Sequence, residues 1–376
     1  MSIMLGDICK FQSGGTPARG KAEYFNGSIP WITTTALTGG QIDANDAVDW
    51  ITEKAIKESS AKIIPQNSIM VGMRVGVGKV AINTVAMSTN QDIISLLEVD
   101  ESKWNKDFLC KYLQSKREYL NSQARGATIK GIKIDVLSKL IVPQISLEDQ
   151  RHISQAIDNV KRIIDFRKQE IRELDELIRA RFVEMFGNPY NNEKNFPMMT
   201  VADVIEFTGG AQPDKKYFEY KPTEDNIRLI QIRDYKTDNY ITYIPKMMAK
   251  RFCDADDIMI GRYGPPIFQI LKGIEGSYNV ALMKATPKMG NKEFIRYFLK
   301  QECLFNYLDG LSQRTAGQSG IDMPALKSYP FPYPPLELQE EFEKFSNQVN
   351  KSKVEVQKAL DETQKLFDSL MQQYFG

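Results

Sequence analysis

The chain has 376 residues, of which 42% are hydrophobic and 26% charged, and its formal net charge is +1. This composition is typical of a globular protein with two or more domains, and its near-neutral charge does not by itself indicate a polyanionic partner. Because no apolar run reaches ~20 residues and the four cysteines are isolated, we expect a cytoplasmic protein with no membrane segment, disulfide framework or zinc site.

Residues 1–147 are predicted to form a strand-rich domain, called head 1 below. Short runs typical of β-strands, such as Ile29–Ile32, Ser68–Val71 and Ile93–Leu97, alternate with glycine, asparagine and threonine residues that favour turns. One helix is predicted from about Lys106 to Asn121, because its apolar residues recur on one helical face.

Residues 148–187 are predicted to form a long helix. Glu148 suits its N-terminus, where exposed N–H groups favour negative charge, and Gly187 suits its end. An apolar residue recurs at every seventh position, which is the pattern of a coiled-coil seam, although Arg167 and Arg181 interrupt the apolar series at the intermediate positions. The predicted seam residues are Ile157, Val160, Ile164, Ile171, Leu174 and Ile178.

The rest of the chain repeats this order. Residues 188–336 are predicted to form a second head, head 2, in which Val201–Pro213 corresponds to Leu5–Pro17 of head 1. A second long helix is predicted over 337–376, and it aligns with the first, without a gap, at a shift of 189 positions. Its predicted seam, which Thr363 interrupts, consists of Val349, Val356, Leu360, Phe367 and Leu370.

The two long helices are the simplest partners for each other, because each carries an apolar stripe that needs to be covered. The predicted fold class is therefore α+β: two strand-rich heads joined by two long antiparallel coiled-coil helices, with an internal pseudo-two-fold repeat. The four predicted parts are 1–147, 148–187, 188–336 and 337–376.

The sequence supplies little for catalysis. His152 is the one histidine and lies at the first turn of a helix, where a surface position is expected. The loop Gly72–Lys79 resembles a phosphate-binding loop, but it is one residue too long and Val80 replaces the magnesium-binding Ser or Thr. Asn188–Tyr190 lacks the second proline of an adenine methyltransferase signature. We expect neither catalytic nor metal-binding residues.

Polar and basic loop residues are the candidate contacts to a nucleic acid. Glycines beside Arg74 and Lys79 would allow close approach to a phosphate, and asparagine or glutamine can pair with adenine. The candidates in head 1 are Thr33, Thr35, Arg74, Lys79, Asn90, Gln91, Arg125, Lys130 and Lys133. The corresponding candidates in head 2 are Arg233, Tyr235, Arg262, Tyr263, Asn279, Gln313, Arg314 and Gln318. Their lysines and arginines are expected mostly at phosphates; alternatively, all of these residues lie in ordinary solvated loops.

The order and duplication of these segments resemble the DNA-specificity subunit of type I restriction–modification enzymes. The most specific parts are the two helix starts, IVPQISLEDQRHI (Ile141–Ile153) and PYPPLELQEEF (Pro332–Phe342). The segments RGATIKGI and TAGQSGI before them, the NQDI run and the ARFVEMFGNP helix end also fit. The first start departs from the pattern, with Gln144–Ser146 where the second has Tyr333–Pro335.

This resemblance implies that each head is a target-recognition domain that reads one half of a split double-stranded DNA sequence. It implies that the helices space the heads and dock two modification (methyltransferase) subunits, which carry S-adenosylmethionine. Restriction subunits would add ATP-dependent, magnesium-requiring cleavage. The chain itself would bind no cofactor and have no active site.

Two other interpretations stay open. A coiled-coil scaffold whose heads bind proteins would show no salt-sensitive affinity for DNA. A methyltransferase or nuclease acting alone would need a cofactor or metal motif, and the sequence offers none that fits.

Overall fold

The computed structural model describes residues 2–126, 128, 130–189, 191–263, 266–312 and 320–376. The chain divides into two compact units: unit 1 comprises Met1–Lys168 and Lys358–Gly376, and unit 2 comprises Gln169–Gln357. Each unit contains one head together with part of both long helices. The helical segments belong to these units because they share hydrophobic cores with the heads.

The helices and strands follow a similar but not identical order in both halves of the chain. The first ten strands are β1 (Ser2–Met4), β2 (Lys10–Ser13), β3 (Phe25–Ile32), β4 (Gln41–Ile42), β5 (Asp49–Ile51), β6 (Ile69–Gly72), β7 (Val80–Asn83), β8 (Ser88–Thr89), β9 (Ile93–Leu97) and β10 (Ile141–Pro143). The next ten are β11 (Met198–Thr200), β12 (Ile205–Gly209), β13 (Asn226–Ile230), β14 (Tyr243–Pro245), β15 (Phe252–Cys253), β16 (Ile258–Gly261), β17 (Gln269–Lys272), β18 (Gly276–Tyr278), β19 (Leu282–Pro287) and β20 (Pro330–Pro332). The α-helices are α1 (Glu53–Glu58), α2 (Lys106–Ser115), α3 (Arg117–Ser122), α4 (Ile134–Ser138), α5 (Leu147–Phe186), α6 (Val201–Val204), α7 (Lys292–Leu299), α8 (Glu302–Ser312), α9 (Met323–Ser328) and α10 (Leu336–Phe375).

In unit 1, the strands form three sheets. The largest has the order β2-β9-β6-β7-β4, the second has the order β5-β3-β8, and β1 pairs with β10. The central strand β6 is antiparallel to both neighbours, and its Ile69 lies opposite Leu96 and Ile82. Ile69 shares a buried core with Phe108 of α2, so the helix covers one face of the largest sheet.

Unit 2 repeats most of this topology, but in its described part the largest sheet has no equivalent of β4 and the second sheet contains the additional strand β15. Its sheets have the orders β12-β19-β16-β17 and β14-β13-β18-β15, and β11 pairs with β20. Strand β13 pairs in parallel with β18, as β3 does with β8 in unit 1. Ile258 of β16 and Phe294 of α7 share the core, as Ile69 and Phe108 do in unit 1. The internal repeat is therefore a repeat of structure as well as of sequence.

The helix boundaries differ from the predicted ones for local reasons. The helix predicted over 106–121 is interrupted at Lys116, which separates α2 from α3. The long helices begin and end one residue earlier than predicted, at Leu147–Phe186 and Leu336–Phe375. The hydroxyl of Ser146 accepts a hydrogen bond from the backbone N–H of Asp149 (3.0 Å), so this serine is the N-cap and the helix starts directly after it.

The predicted seam residues are all buried or half-buried. In unit 1 these residues are Ile157, Val160, Ile164, Leu360, Phe367 and Leu370, and in unit 2 they are Ile171, Leu174, Ile178, Val349 and Val356. The helical segments run antiparallel in unit 2, since Asp175 pairs with Lys353 (2.6 Å) whereas Arg181, further along α5, pairs with Glu341 (2.9 Å). In unit 1, the guanidinium of Arg167 donates to the Thr363 hydroxyl.

Two buried glutamines join the starts of the long helices to the heads. Gln150 accepts a hydrogen bond through Oε1 from the backbone N–H of Asn105 (2.8 Å). Its equivalent Gln339 accepts one from the N–H of Asn291 (2.8 Å) and donates through Nε2 to the carbonyl of Pro334 (2.8 Å). Both glutamine residues are 0% exposed. Each of these side chains therefore supplies the partner that a buried backbone group would otherwise lack.

Within the described ranges, no helix combines the length and the apolar character needed to cross a membrane.

Replacing Gln339 by alanine is expected to lower the free energy of unfolding by about 1–3 kcal/mol, because it leaves a partly buried N–H and a buried carbonyl without partners. Denaturant titration followed by circular dichroism measures this difference. Glu340→Ala is the matched control, since Glu340 is the next residue of α10 and is exposed. Equal unfolding midpoints for the two variants would contradict the anchoring role of Gln339.

Candidate nucleic-acid interface

Loops from separate parts of head 1 converge on one surface. The backbone N–H of Asn90 donates to the carbonyl of Ile32 (3.0 Å), and the N–H of Met73 donates to the carbonyl of Asp92 (2.7 Å). The N–H of Ile132 in turn donates to the carbonyl of Met73 (2.9 Å). We call this surface face 1; its described parts are Gly14–Thr16, Thr33–Thr35, Met73–Lys79, Asn90–Asp92, Arg125–Gly126, Thr128 and 130–133.

A tight glycine turn projects from face 1 between β6 and β7. Gly76 and Gly78 have φ values of +88° and +74°, a region that other residues adopt only with strain. A Cβ atom on Gly78 would also lie 3.0 Å from the Cα of Arg117. The turn leaves Arg74 exposed and Lys79 half-buried. Two of the predicted cations therefore border a segment whose backbone a phosphate can approach.

A second basic segment lies directly against this turn. Arg125 and Gly131 exchange backbone hydrogen bonds of 2.9 and 3.0 Å, which closes the loop between them. A Cβ on Gly131 would lie 2.8 Å from Cγ of Arg74, so the arginine side chain passes over this glycine. Lys130 and Lys133 are exposed, as are Arg74 and Arg125. Four predicted cations from two distant segments thus share one surface.

Uncharged polar groups complete face 1. The hydroxyls of Thr33 and Thr35 lie 2.8 Å apart and form a hydrogen bond. The hydroxyl of Thr16 donates to the side-chain oxygen of Gln91. Thr16 was not among the predicted contacts, although its place directly after Gly14 and Gly15 is a signal for an exposed loop.

Head 2 presents the equivalent surface, face 2, with different side chains. The N–H of Asn279 donates to the carbonyl of Ile230 (3.0 Å), and the N–H of Arg262 donates to the carbonyl of Ala281 (2.9 Å). The N–H of Ala211 donates to the carbonyl of Tyr278 (3.1 Å). These bonds bring together the loops that follow β12, β13, β16 and β18, whose described parts are Gly210–Ala211, Gln231–Tyr235, Arg262–Tyr263 and Asn279–Ala281.

Two arginines and a tyrosine are the accessible predicted groups of face 2. The guanidinium of Arg262 lies 5.2 Å from the ring centre of Tyr263, and Tyr263 is 41% exposed. Arg233 donates through Nη2 to the hydroxyl of Thr242 (3.1 Å), and its side chain is 47% exposed. Both guanidinium groups therefore have N–H donors left for an external acceptor.

Three of the predicted contacts use their side chains inside the fold. Asn90 and Asn279 are each only 8% exposed. Their side-chain oxygens accept hydrogen bonds from backbone N–H groups two residues later, at Asp92 (3.3 Å) and Ala281 (3.1 Å). These asparagines hold the turns that place their neighbours, a local role common for this residue type.

The third, Tyr235, packs into the hydrophobic core of head 2 with Ile230, Met259 and Tyr278. Its hydroxyl is buried, and this burial raises the pKa of the phenol above its ordinary value. The ring is therefore half-buried against this cluster, and its hydroxyl faces the interior. Gln313, Arg314 and Gln318 lie outside the residues that the structure describes.

The family model, the curated relatives and the solved structures that match this chain all belong to one family. A family model described as the type I restriction modification DNA specificity domain matches residues 1–176 and 193–363. The MjaIX specificity subunit of Methanocaldococcus jannaschii is 28% identical over 231 residues, which cover 57% of this chain and 54% of that protein. This alignment thus spans about half the length of the curated relative.

Two solved structures share the fold over the whole chain. The S subunit of a type I restriction–modification system from M. genitalium has a TM-score of 0.58 and 15% identity, covering 100% of this chain and 96% of that one. A chain from a structural study of assembly and conformational transition in the type I system has a TM-score of 0.63 and 16% identity, covering 100% and 97%. The α+β fold class expected from the sequence is confirmed.

Replacing Asn279 by alanine is expected to lower the free energy of unfolding by about 1 kcal/mol, because the N–H of Ala281 loses its partner in a partly buried turn. Gln91→Ala in head 1 is the control for an exposed amide and is expected to leave stability within about 0.5 kcal/mol. Thermal denaturation of both variants tests this difference. Unchanged stability of the Asn279 variant would return this residue to the candidate contacts.

Proposed function

Because this chain belongs to the type I restriction–modification DNA specificity family, we propose that it is the DNA-reading subunit of such a complex. Each head is proposed to read one half of a split double-stranded target. The observation that carries the proposal is the pair of faces: equivalent backbone hydrogen bonds place equivalent loops, and the side chains on those loops differ. The two half-sites are therefore expected to differ in sequence.

Exposed cations on both faces fit a partner with a phosphate backbone. Arg74, Arg125, Lys130 and Lys133 are accessible on face 1, and Arg233 is accessible on face 2. Such residues position a protein on DNA, whereas base edges are read by polar side chains such as Gln91. The faces thus combine the two kinds of contact that sequence-specific binding requires.

The long helices are proposed to dock two modification subunits, with restriction subunits completing the complex. Each helix has large apolar residues that point away from its seam. Phe166 is 68% exposed, and Leu177 and Leu366, which occupy equivalent positions in α5 and α10, are 48% and 51% exposed. Apolar side chains of this size on a helical surface favour contact with another protein.

Methylation and cleavage are proposed to take place on those partners, which would carry S-adenosylmethionine, ATP and magnesium. The buried thiols of this chain are poor nucleophiles, since burial raises the pKa of Cys9 and Cys110 to about 12 and that of Cys253 to about 11. The contribution of this chain is then to choose the sequence and hold the enzymes there.

Methylation profiling of DNA from cells that express the chain with its modification partner is expected to show one split motif.

Removing one seven-residue repeat from the middle of each long helix is expected to shorten the gap between the two half-sites by about three base pairs. Each deletion removes ~10 Å of helix, and base pairs are spaced ~3.4 Å apart. The two half-sites themselves should stay the same. A continuous motif, or half-sites that change with helix length, would refute the proposal that the helices set the spacing.

Replacing both Arg74 and Lys130 by glutamine is expected to weaken DNA binding of the assembled complex at every sequence tested. It should also reduce the slope of log affinity against log salt by about one for each phosphate that the variant no longer neutralises. Fluorescence anisotropy at several salt concentrations measures both quantities. Lys10→Gln is the control, because Lys10 pairs with Glu98 (2.6 Å) at the end of β2 remote from the glycines of face 1. Equal effects of the double variant and the control would contradict the placement of DNA on face 1.

A further inference from the structure

Head 2 contains an aromatic cleft whose lining includes one predicted contact, Arg233, and three tyrosines that were not predicted as contacts. Its volume is about 590 Å³, and its lining includes Tyr220, Arg233, Asn239, Tyr240 and Tyr243. This volume is within the ~300–1,000 Å³ range typical of sites for small ligands. The cleft is thus large enough for a planar group the size of a nucleobase.

The walls of this cleft are held by the backbone. Glu219 and Tyr243 exchange hydrogen bonds of 2.9 and 2.8 Å, which fixes the segment that carries Tyr220 beside β14. The side-chain nitrogen of Asn226 adds bonds to Glu219 (2.8 Å) and to the carbonyl of Lys221 (2.9 Å). These hydrogen bonds therefore fix the shape of the cleft wall.

Its two outer tyrosines are presented to the solvent. Tyr220 is 73% exposed and Tyr240 is 64% exposed. Truncating aromatic side chains this accessible costs the free protein little stability, because they contribute little buried area. Their rings are available to stack on a flat partner.

The charged groups of the cleft favour a partner with a phosphate. Arg233 belongs both to the cleft and to face 2, so the cleft opens at the border of the proposed DNA-reading surface. The carboxylate of Asp238, which also lines the cleft, accepts a hydrogen bond from Arg228 (2.9 Å) and is thereby partly neutralised. A nucleotide entering from face 2 would meet a cation before it meets the rings.

We propose that this cleft accepts one nucleobase that leaves its stack in the half-site read by head 2. Tyr240 stacks on the base, Arg233 contacts its phosphate, and Asn239 supplies hydrogen bonds to the base edge. This inference rests on the proposed function and deepens it, because it names a specificity-determining subsite. Stacking on an aromatic ring compensates for the stacking that the base loses in the duplex.

The test uses the chain assembled with its modification subunits and the target duplex found by methylation profiling. Single 2-aminopurine substitutions are placed along the head 2 half-site, and the methylated adenine is left out because methyltransferases themselves displace that base. Fluorescence is expected to rise on binding at one position. Tyr240→Ala should abolish this rise and weaken binding about 10- to 100-fold, as expected when one base–aromatic stack is removed.

Tyr240→Phe is the matched variant, since it keeps the ring and removes only the hydroxyl; it should retain the fluorescence rise and bind within about twofold of the parent chain. Probes in the head 1 half-site should be unaffected by either change. If Tyr240→Ala weakens binding but no probe brightens, the tyrosine contacts stacked DNA and the base-binding proposal is wrong. If neither effect appears while the split motif stands, the cleft proposal alone fails; absence of any split motif would instead refute the proposed function.

Discussion

Each head depends on a phenylalanine at the end of a long helix to complete its core. Phe375 is 2% exposed and lies 5.2 Å, between ring centres, from Phe108 of head 1. Phe186 occupies the equivalent position in head 2 and lies 4.6 Å from Phe294. Because burying an aromatic side chain is worth several kilocalories per mole, a head separated from this helix end would lose both packing and water exclusion. Head 1 therefore needs the last residues of the chain, far away in sequence.

Because the long helices attach to the cores of the heads, the residues exposed on the loops of faces 1 and 2 are free to vary. The loops of faces 1 and 2 are positioned by backbone hydrogen bonds and by buried turn residues such as Asn90 and Asn279. Their exposed positions hold Thr35 and Arg74 in one head, and Arg233 and Tyr263 in the other. Since the exposed side chains carry little of the stability, they can change without loss of the fold. Two copies of one scaffold can in this way present two different surfaces, which the proposed reading of two half-sites requires.

The sequence predicted the long helices and the internal repeat, because both depend on periodicity. It did not predict which loop residues are buried, because burial depends on the three-dimensional environment. The seven-residue repeat and the shift of 189 positions identified both long helices, and the predicted helix ends lie within one residue of the observed ones. The matching segments of the two halves identified the duplication of the heads. Neighbouring amides show the limit: Asn90 is buried in a turn and Gln91 is exposed, and nothing in their types separates them. Tyr235 is likewise a candidate contact by its residue type, yet its ring is half-buried against the core and its hydroxyl is buried. Burial of a loop residue depends on distant strands, which a local pattern does not contain.

The polar residues in and beside the seam explain why the two long helices pair in one register. A purely apolar heptad seam packs almost equally well after a slip of seven residues, because similar side chains replace one another. In unit 2 such a slip would separate Asp175 from Lys353 and Arg181 from Glu341, and in unit 1 it would remove Arg167 from Thr363. Half-buried charges without partners are costly, so these pairs disfavour every register but one even if they add little net stability. Phe186 and Phe375 reach the cores of the heads only in that register. The polar pairs and the two phenylalanines therefore favour the same register of the long helices.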